Sequence, residues 1–130
     1  MPETEVVAVV IEHSFYIKGR IFEVDVVELL KSLGVNVKHV GGRNDGGIDI
    51  IGEIGEVTVL FQCKNWDNPI GPSVVREMRG VVCQENPGTI GILVAPCLTF
   101  TDFAIDESRK SRYPVILTDK SHLPKIIINL

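Results

Sequence analysis

Apolar positions along the chain fall into alternating helical and strand periods. In residues 19–33, Phe22, Val26, Leu29, Leu30 and Leu33 recur at helical spacing, and Gly34 offers the left-handed position that ends a helix. Residues 35–40 alternate apolar and polar positions as a half-buried strand does, and a glycine-rich turn, Gly41-Gly42-Arg43-Asn44-Asp45-Gly46-Gly47, follows. Residues 48–54 and 57–64 are β-rich runs joined by Gly55-Glu56, a Gly-X pair suited to a two-residue hairpin turn. Gly71-Pro72 marks a helix start, with Val74, Met78, Val81 and Val82 as its core stripe down to Asn86. Residues 89–95 read as a buried strand, 101–111 as a helix and 115–118 as a last short strand. This alternation predicts an α/β domain, a central mixed β-sheet flanked by helices, over residues 19–130. Residues 1–18 form an N-terminal segment whose stretch 5–15 fits a strand or a buried helix equally well.

The hairpin sets a register. If Ile54 pairs with Val57, each step outward adds one residue to both strands, and Asp49 falls opposite Gln62, with Lys64 two residues further on the same face. The other face then carries Ile48, Ile50 and Ile54 against Val57, Val59, Phe61 and Cys63, a strongly buried side.

Composition narrows the function classes. A chain of 130 residues with 45% apolar content fits one domain with one core, and no repeat or low-complexity tract suggests a solenoid or disorder. Cys63, Cys83 and Cys97 are odd in number and lack CxxC spacing, which disfavours a disulfide framework and a zinc site. The apolar run 6–11 is too short for a signal-peptide core or a membrane span, so an intracellular, by default cytoplasmic, protein without a membrane partner is expected. A net charge of −4 does not suit a protein that coats nucleic acid with its whole surface. Any such site must be local, and Lys18, Arg20, Arg43, Lys64, Arg76 and Arg79 could supply it, scattered solvated charges being the plain alternative.

An aspartate facing Gln-x-Lys brings a carboxylate, an amide oxygen and an ammonium group to one side of a sheet. A hard cation such as Mg²⁺ prefers oxygen ligands and keeps several waters, so Asp49 with the carbonyl of Cys63, assisted by Gln62, would suffice. Such a cation would polarise a phosphate, with Lys64 orienting water or stabilising developing charge. Glu23 lies about 100° from Phe22 but only about 20° from Leu30 around the helix, at the edge of the buried stripe, within reach of the same site. His13, His39 and His122 share no motif and read as structural or surface residues. Trp66, just after the strand, could stack on a base or pack at a rim.

The string GRIFEVDVVELLKSLGVNVKHVGGRNDGGID, followed by FQCKNW, IGPSVVREMRG, LTFTDFA and VILTD, resembles the Mrr-like restriction endonuclease family, a branch of the PD-(D/E)xK nucleases. The resemblance covers residues 19–123 and implies a restriction-endonuclease-like core and cleavage of DNA with Mg²⁺, Mn²⁺ being able to substitute. It carries the family's metal-binding aspartate onto Asp49, the glutamine replacing the superfamily's usual acid onto Gln62, the lysine onto Lys64 and the helix acid onto Glu23. Asp45 is a weaker match, with shaping of the turn at Gly46 and Gly47 as its plain alternative. Arg20, Arg43, Trp66, Arg76 and Arg79 are the expected nucleic-acid contacts. Two departures matter: many relatives join this module to a DNA-reading domain for which 130 residues leave no room, and their threonine-rich strand end is here Val94-Ala95-Pro96-Cys97. Specificity is then absent, structural or supplied by a partner. The alternatives are a structure-selective nuclease of the Holliday-junction resolvase type, acting on branched DNA as a symmetric homodimer, and a non-catalytic nucleic-acid-binding module. Modified DNA is a further possible substrate.

Overall fold

The computed structural model describes residues 3–40, 47–66, 68–97 and 99–130, with side chains from residue 18 onward. The described elements run α1 (Glu3–Ser32), β1 (Asn36–His39), β2 (Ile50–Ile54), β3 (Val57–Cys63), α2 (Pro72–Val82), β4 (Ile90–Ala95), α3 (Asp102–Lys110), β5 (Val115–Asp119) and α4 (Leu123–Ile128). Helix α1 passes through Gly19, so the stretch 5–15 is helical and continuous with the predicted helix.

The five strands form one mixed sheet in the order β1-β2-β3-β4-β5. β1, β2 and β3 are antiparallel to one another, while β3, β4 and β5 are parallel. Both parallel connections step the same way across the sheet, and α2 and α3 lie together on one face, as same-handed crossovers require. Val74, Val75 and Met78 of α2 and Ala104 of α3 pack there against Leu60, Leu93 and Ala95. The other face is covered by Phe22, Val26, Val27 and Leu30 of α1 and by Leu123 and Ile127 of α4, packed on Ile50, Val59, Phe61, Ile92 and Val94. Burying such side chains contributes roughly 1.5–3 kcal/mol each, so the sheet is fixed from both sides. The start of α3 is closed by Thr101, whose Oγ1 accepts the Ala104 N–H at 3.1 Å.

The hairpin has the expected register, from Ile54 opposite Val57 to Ile50 opposite Phe61, and Gly55 at φ 60° supplies the positive dihedral of its turn. Beyond Ile50 the register fails. The Asp49 N–H is donated to the Phe61 carbonyl at 2.9 Å, so Asp49 and Ile50 both stand against Phe61. Two residues set against one is the signature of a β-bulge. The side chains agree: Ile50 lies under α1, whereas Ile48 lies on the α2 and α3 side. Strict alternation puts Ile48 and Ile50 on one face, so the expected grouping of Ile48 with Ile50 is corrected. Asp49 is likewise not the ladder partner of Gln62.

Candidate functional site

The bulge decides where Asp49 goes. Its carboxylate Oδ2 accepts the Cys63 N–H at 2.7 Å, just before β2 begins and where β3 reaches Gln62, Cys63 and Lys64. Asp49 is 7% exposed. Burial pushes its carboxyl from an ordinary 3.8 up to about 6 against the pull of the Cys63 N–H; the Glu23 charge adds to the rise, and Lys64 and His39 oppose it. Glu23, Lys64 and His39 are therefore close enough to act on Asp49. The Cys63 thiol is pushed well up by burial, then by Asp49 and Glu23, so it stays neutral.

Glu23 is held on the inner edge of α1. Its Oε2 accepts from His39 Nε2 at 2.9 Å and from Arg20 Nη1 at 3.4 Å. His39 shares its strand face with Val37, which packs under α1. Sequence reasoning left His39 among the structural histidines, and its only signal was the parity it shares with Val37. Arg20, expected on nucleic acid, is tied into this pair.

Gln62 is 2% exposed, and its Oε1 has no hydrogen-bond partner among the described residues. Its carboxamide lies against Gly47, filling the space a Cβ there would occupy, and Gly47 has φ 83°. Glycine at 47 is thus required twice, by its dihedral and by the amide beside it. Lys64 Nζ stands 4.6 Å from the centroid of the Trp66 ring, and Trp66 is 45% exposed.

Two other expected contacts also meet a carboxylate. Arg79 Nη1 is 3.1 Å and Arg76 Nη1 3.8 Å from Glu107 Oε1, so both arginines of α2 meet α3. Arg43 and Asp45 lie outside the described residues.

The layout, an acid at the start of one strand beside Gln-x-Lys at the end of the next on a mixed sheet with helices on both faces, is that of a restriction-endonuclease-like domain. The chain belongs to the restriction endonuclease family of the Mrr catalytic domain, whose model matches residues 16–127, and it carries a nuclease domain of that type. The fold is similar to that of the MspJI restriction endonuclease solved with a 27-mer oligonucleotide, with TM-score 0.55 and 23% identity, covering 95% of this chain and 31% of that one. It is also similar to AF1548, a protein of unknown function, with TM-score 0.58 and 18% identity, covering 75% of this chain and 55% of that one. At these identities the fold alone is shared. An uncharacterised mitochondrial protein of Schizosaccharomyces pombe is 33% identical over 108 residues, 77% of this chain and 43% of the relative. The chain thus spans less than half the length of that relative.

Restriction-endonuclease-like domains generally use divalent metal ions. Among the described residues no three His, Cys, Asp or Glu side chains are grouped to hold one. The donors present nevertheless fit a hard cation. Asp49 offers a carboxylate and Gln62 a buried amide oxygen with no partner among the described residues. The Cys63 carbonyl shares the β2-facing edge of β3 with its N–H, and a cation that keeps several waters needs few protein oxygens.

Proposed function

We propose that the chain is a metal-dependent endodeoxyribonuclease, Mg²⁺ serving as cofactor and Mn²⁺ able to replace it. The observation that carries this reading is the Asp49 carboxylate, largely buried and seated on the Cys63 N–H between Gln62 and Lys64. With its pKa near 6, Asp49 is ionised at neutral pH, and its buried negative charge lacks a full counterion. Asp49, Gln62 Oε1 and the Cys63 carbonyl would hold the cation, with Glu23 at the outer edge. When bound, it supplies charge that polarises the scissile phosphate and acidifies attacking water.

The chain's own groups do the rest. Lys64 donates from Nζ to the phosphate or the attacking water and meets the charge that develops on the equatorial oxygens. The Trp66 ring faces the Lys64 ammonium at the rim and limits the positions it visits. DNA as substrate is supported by the family and by the oligonucleotide held by the MspJI fold relative.

The test is incubation of the chain with supercoiled plasmid, linear duplex and a four-way junction in Mg²⁺, in Mn²⁺ and in chelator. Cleavage in both metals, none in chelator and none by Asp49→Ala is expected. Cleavage that persists in chelator, or Asp49→Ala cutting as fast as the parent, overturns the proposal. Preference for the junction over matched duplex would assign the structure-selective form of the activity.

A further inference from the structure

Glu23 and Asp49 carry like charges close enough for Glu23 to raise the Asp49 pKa. A glutamate at the edge of such a site, here with its side chain 19% exposed, gains by turning into water unless something holds it. Two side chains do, and both grip the same oxygen, Oε2. They are not equivalent. Arg20 has a side chain 52% exposed and reaches Oε2 at 3.4 Å, so it is well screened. His39 is 24% exposed and donates at 2.9 Å from a strand that is itself paired to β2, so its position is fixed by the sheet that carries Asp49. Oε1 of Glu23 makes no hydrogen bond among the described residues.

A clamp between α1 and β1 is a weak explanation for this pair. The helix is already held by Phe22, Val26, Val27 and Leu30, and a partly exposed ion pair adds little to that. We infer that His39 is a positioning residue that holds Glu23 by one oxygen and leaves the other as an oxygen donor for the divalent cation at Asp49. The inference rests on the site being a cation-dependent nuclease centre. Partners that orient a ligand in this way change metal affinity by about 10-fold to 100-fold when removed.

The test is Mn²⁺ binding to the full chain, measured by calorimetry, for the parent and for His39→Ala, His39→Gln, His39→Asn, Glu23→Ala and the double variant Glu23→Ala/His39→Ala. A glutamine amide can present its nitrogen where Nε2 stands, and the shorter asparagine cannot. The inference expects His39→Ala and His39→Asn to weaken Mn²⁺ binding about tenfold or more. It expects His39→Gln to stay close to the parent, and His39→Ala to add nothing once Glu23 is gone. If His39→Ala fails to fold, the contrast between Gln and Asn still decides. Equal Mn²⁺ affinity in the Gln and Asn variants, or a full His39→Ala effect in the Glu23→Ala background, overturns the inference while leaving the nuclease reading intact. A parent chain that binds no Mn²⁺ overturns both.

Discussion

Asp49→Asn separates what this carboxylate does for folding from what it does for chemistry. Asparagine keeps an oxygen for the Cys63 N–H, so the bulge need not change. The charge is lost. In the parent the carboxyl rises from 3.8 to about 6 through burial first, then the Glu23 charge, with the Cys63 N–H, Lys64 and His39 opposing. Below pH 3.8 both folded and unfolded chains hold the proton, and the group is neutral towards stability. Between 3.8 and about 6 the folded chain keeps a proton the unfolded chain has released, so stability falls as pH rises; above 6 the penalty is complete. The shift of about two units corresponds to about 3 kcal/mol, and screening at the open end of the strands reduces it to about 1.5 kcal/mol. In chelator at pH 8, Asp49→Asn should therefore melt about 5 °C above the parent. At pH 4 the two should melt together. Saturating Mg²⁺ should stabilise the parent, by about 2.7 kcal/mol at a hundredfold excess over Kd, and leave the variant unmoved. Thermal melts over this pH range, with and without Mg²⁺, measure all three. A variant less stable than the parent at pH 8 in chelator, or a difference independent of pH, would refute the reasoning.

Lys64→Ala should lower DNA cleavage by two or more orders of magnitude, as about 2.7–4 kcal/mol of lost transition-state stabilisation implies, while the melting curve moves by less than about 1 kcal/mol. Single-turnover cleavage beside a melt checks it, and cleavage at the parent rate removes Lys64 from the mechanism. Gly47→Ala should cost about 2–4 kcal/mol, from about 1–2 for the positive dihedral and the rest for displacing the Gln62 amide, so a denaturant midpoint equal to the parent's would contradict the packing described. DNA binding should weaken steeply with salt, since the chain carries a net charge of −4 and offers only a local basic surface. Because Arg76 and Arg79 are taken by Glu107, replacing either with alanine should leave the salt slope unchanged, whereas a slope smaller by about 0.9 per arginine would show phosphate contact.

What the sequence made legible were the features set by local rules. Helical spacing from Phe22 to Leu33 placed the buried face of α1, Thr101 marked the start of α3, and Gly55-Glu56 with its flanking alternation gave the register through Ile50 and Phe61. The same alternation misled at Ile48, because a bulge is a decision of the folded sheet: one extra residue is admitted where an N–H finds a carbonyl already in use. His39 and Glu23 are separated by 16 positions, and their meeting depends on α1 crossing β1, which no short motif encodes. Arg79 and Glu107 are likewise 28 positions apart, so the contact of the α2 arginines with α3 is not written in their helical spacing. Helix α4 went unread because six residues carry little periodicity, and its apolar side is recognised only once Leu123 and Ile127 are seen under the sheet.

The bulge also bears on what a glutamine at position 62 does. Regular pairing keeps the carboxylate of a strand residue out of reach of its neighbour's end; the extra residue at Asp49 brings Oδ2 onto the Cys63 N–H and into burial. That placement already raises Asp49 to about 6 with Glu23 the one other acid acting on it among the described residues. Position 62 is more buried still, at 2% exposure against 7% for Asp49. A carboxylate there would face the heavier desolvation cost and add a second like charge beside Asp49, so at neutral pH one of the two would hold a proton and be lost as an anionic ligand. The amide avoids that coupling. It gives an oxygen with no proton to lose, at the smaller cost of one buried acceptor left unpaired, about 1–3 kcal/mol, which a cation or an ordered water recovers when it binds. Asp49, raised to about 6, is then the carboxyl poised near neutral pH, and the charge of Glu23, held by His39 and Arg20, adds to that rise.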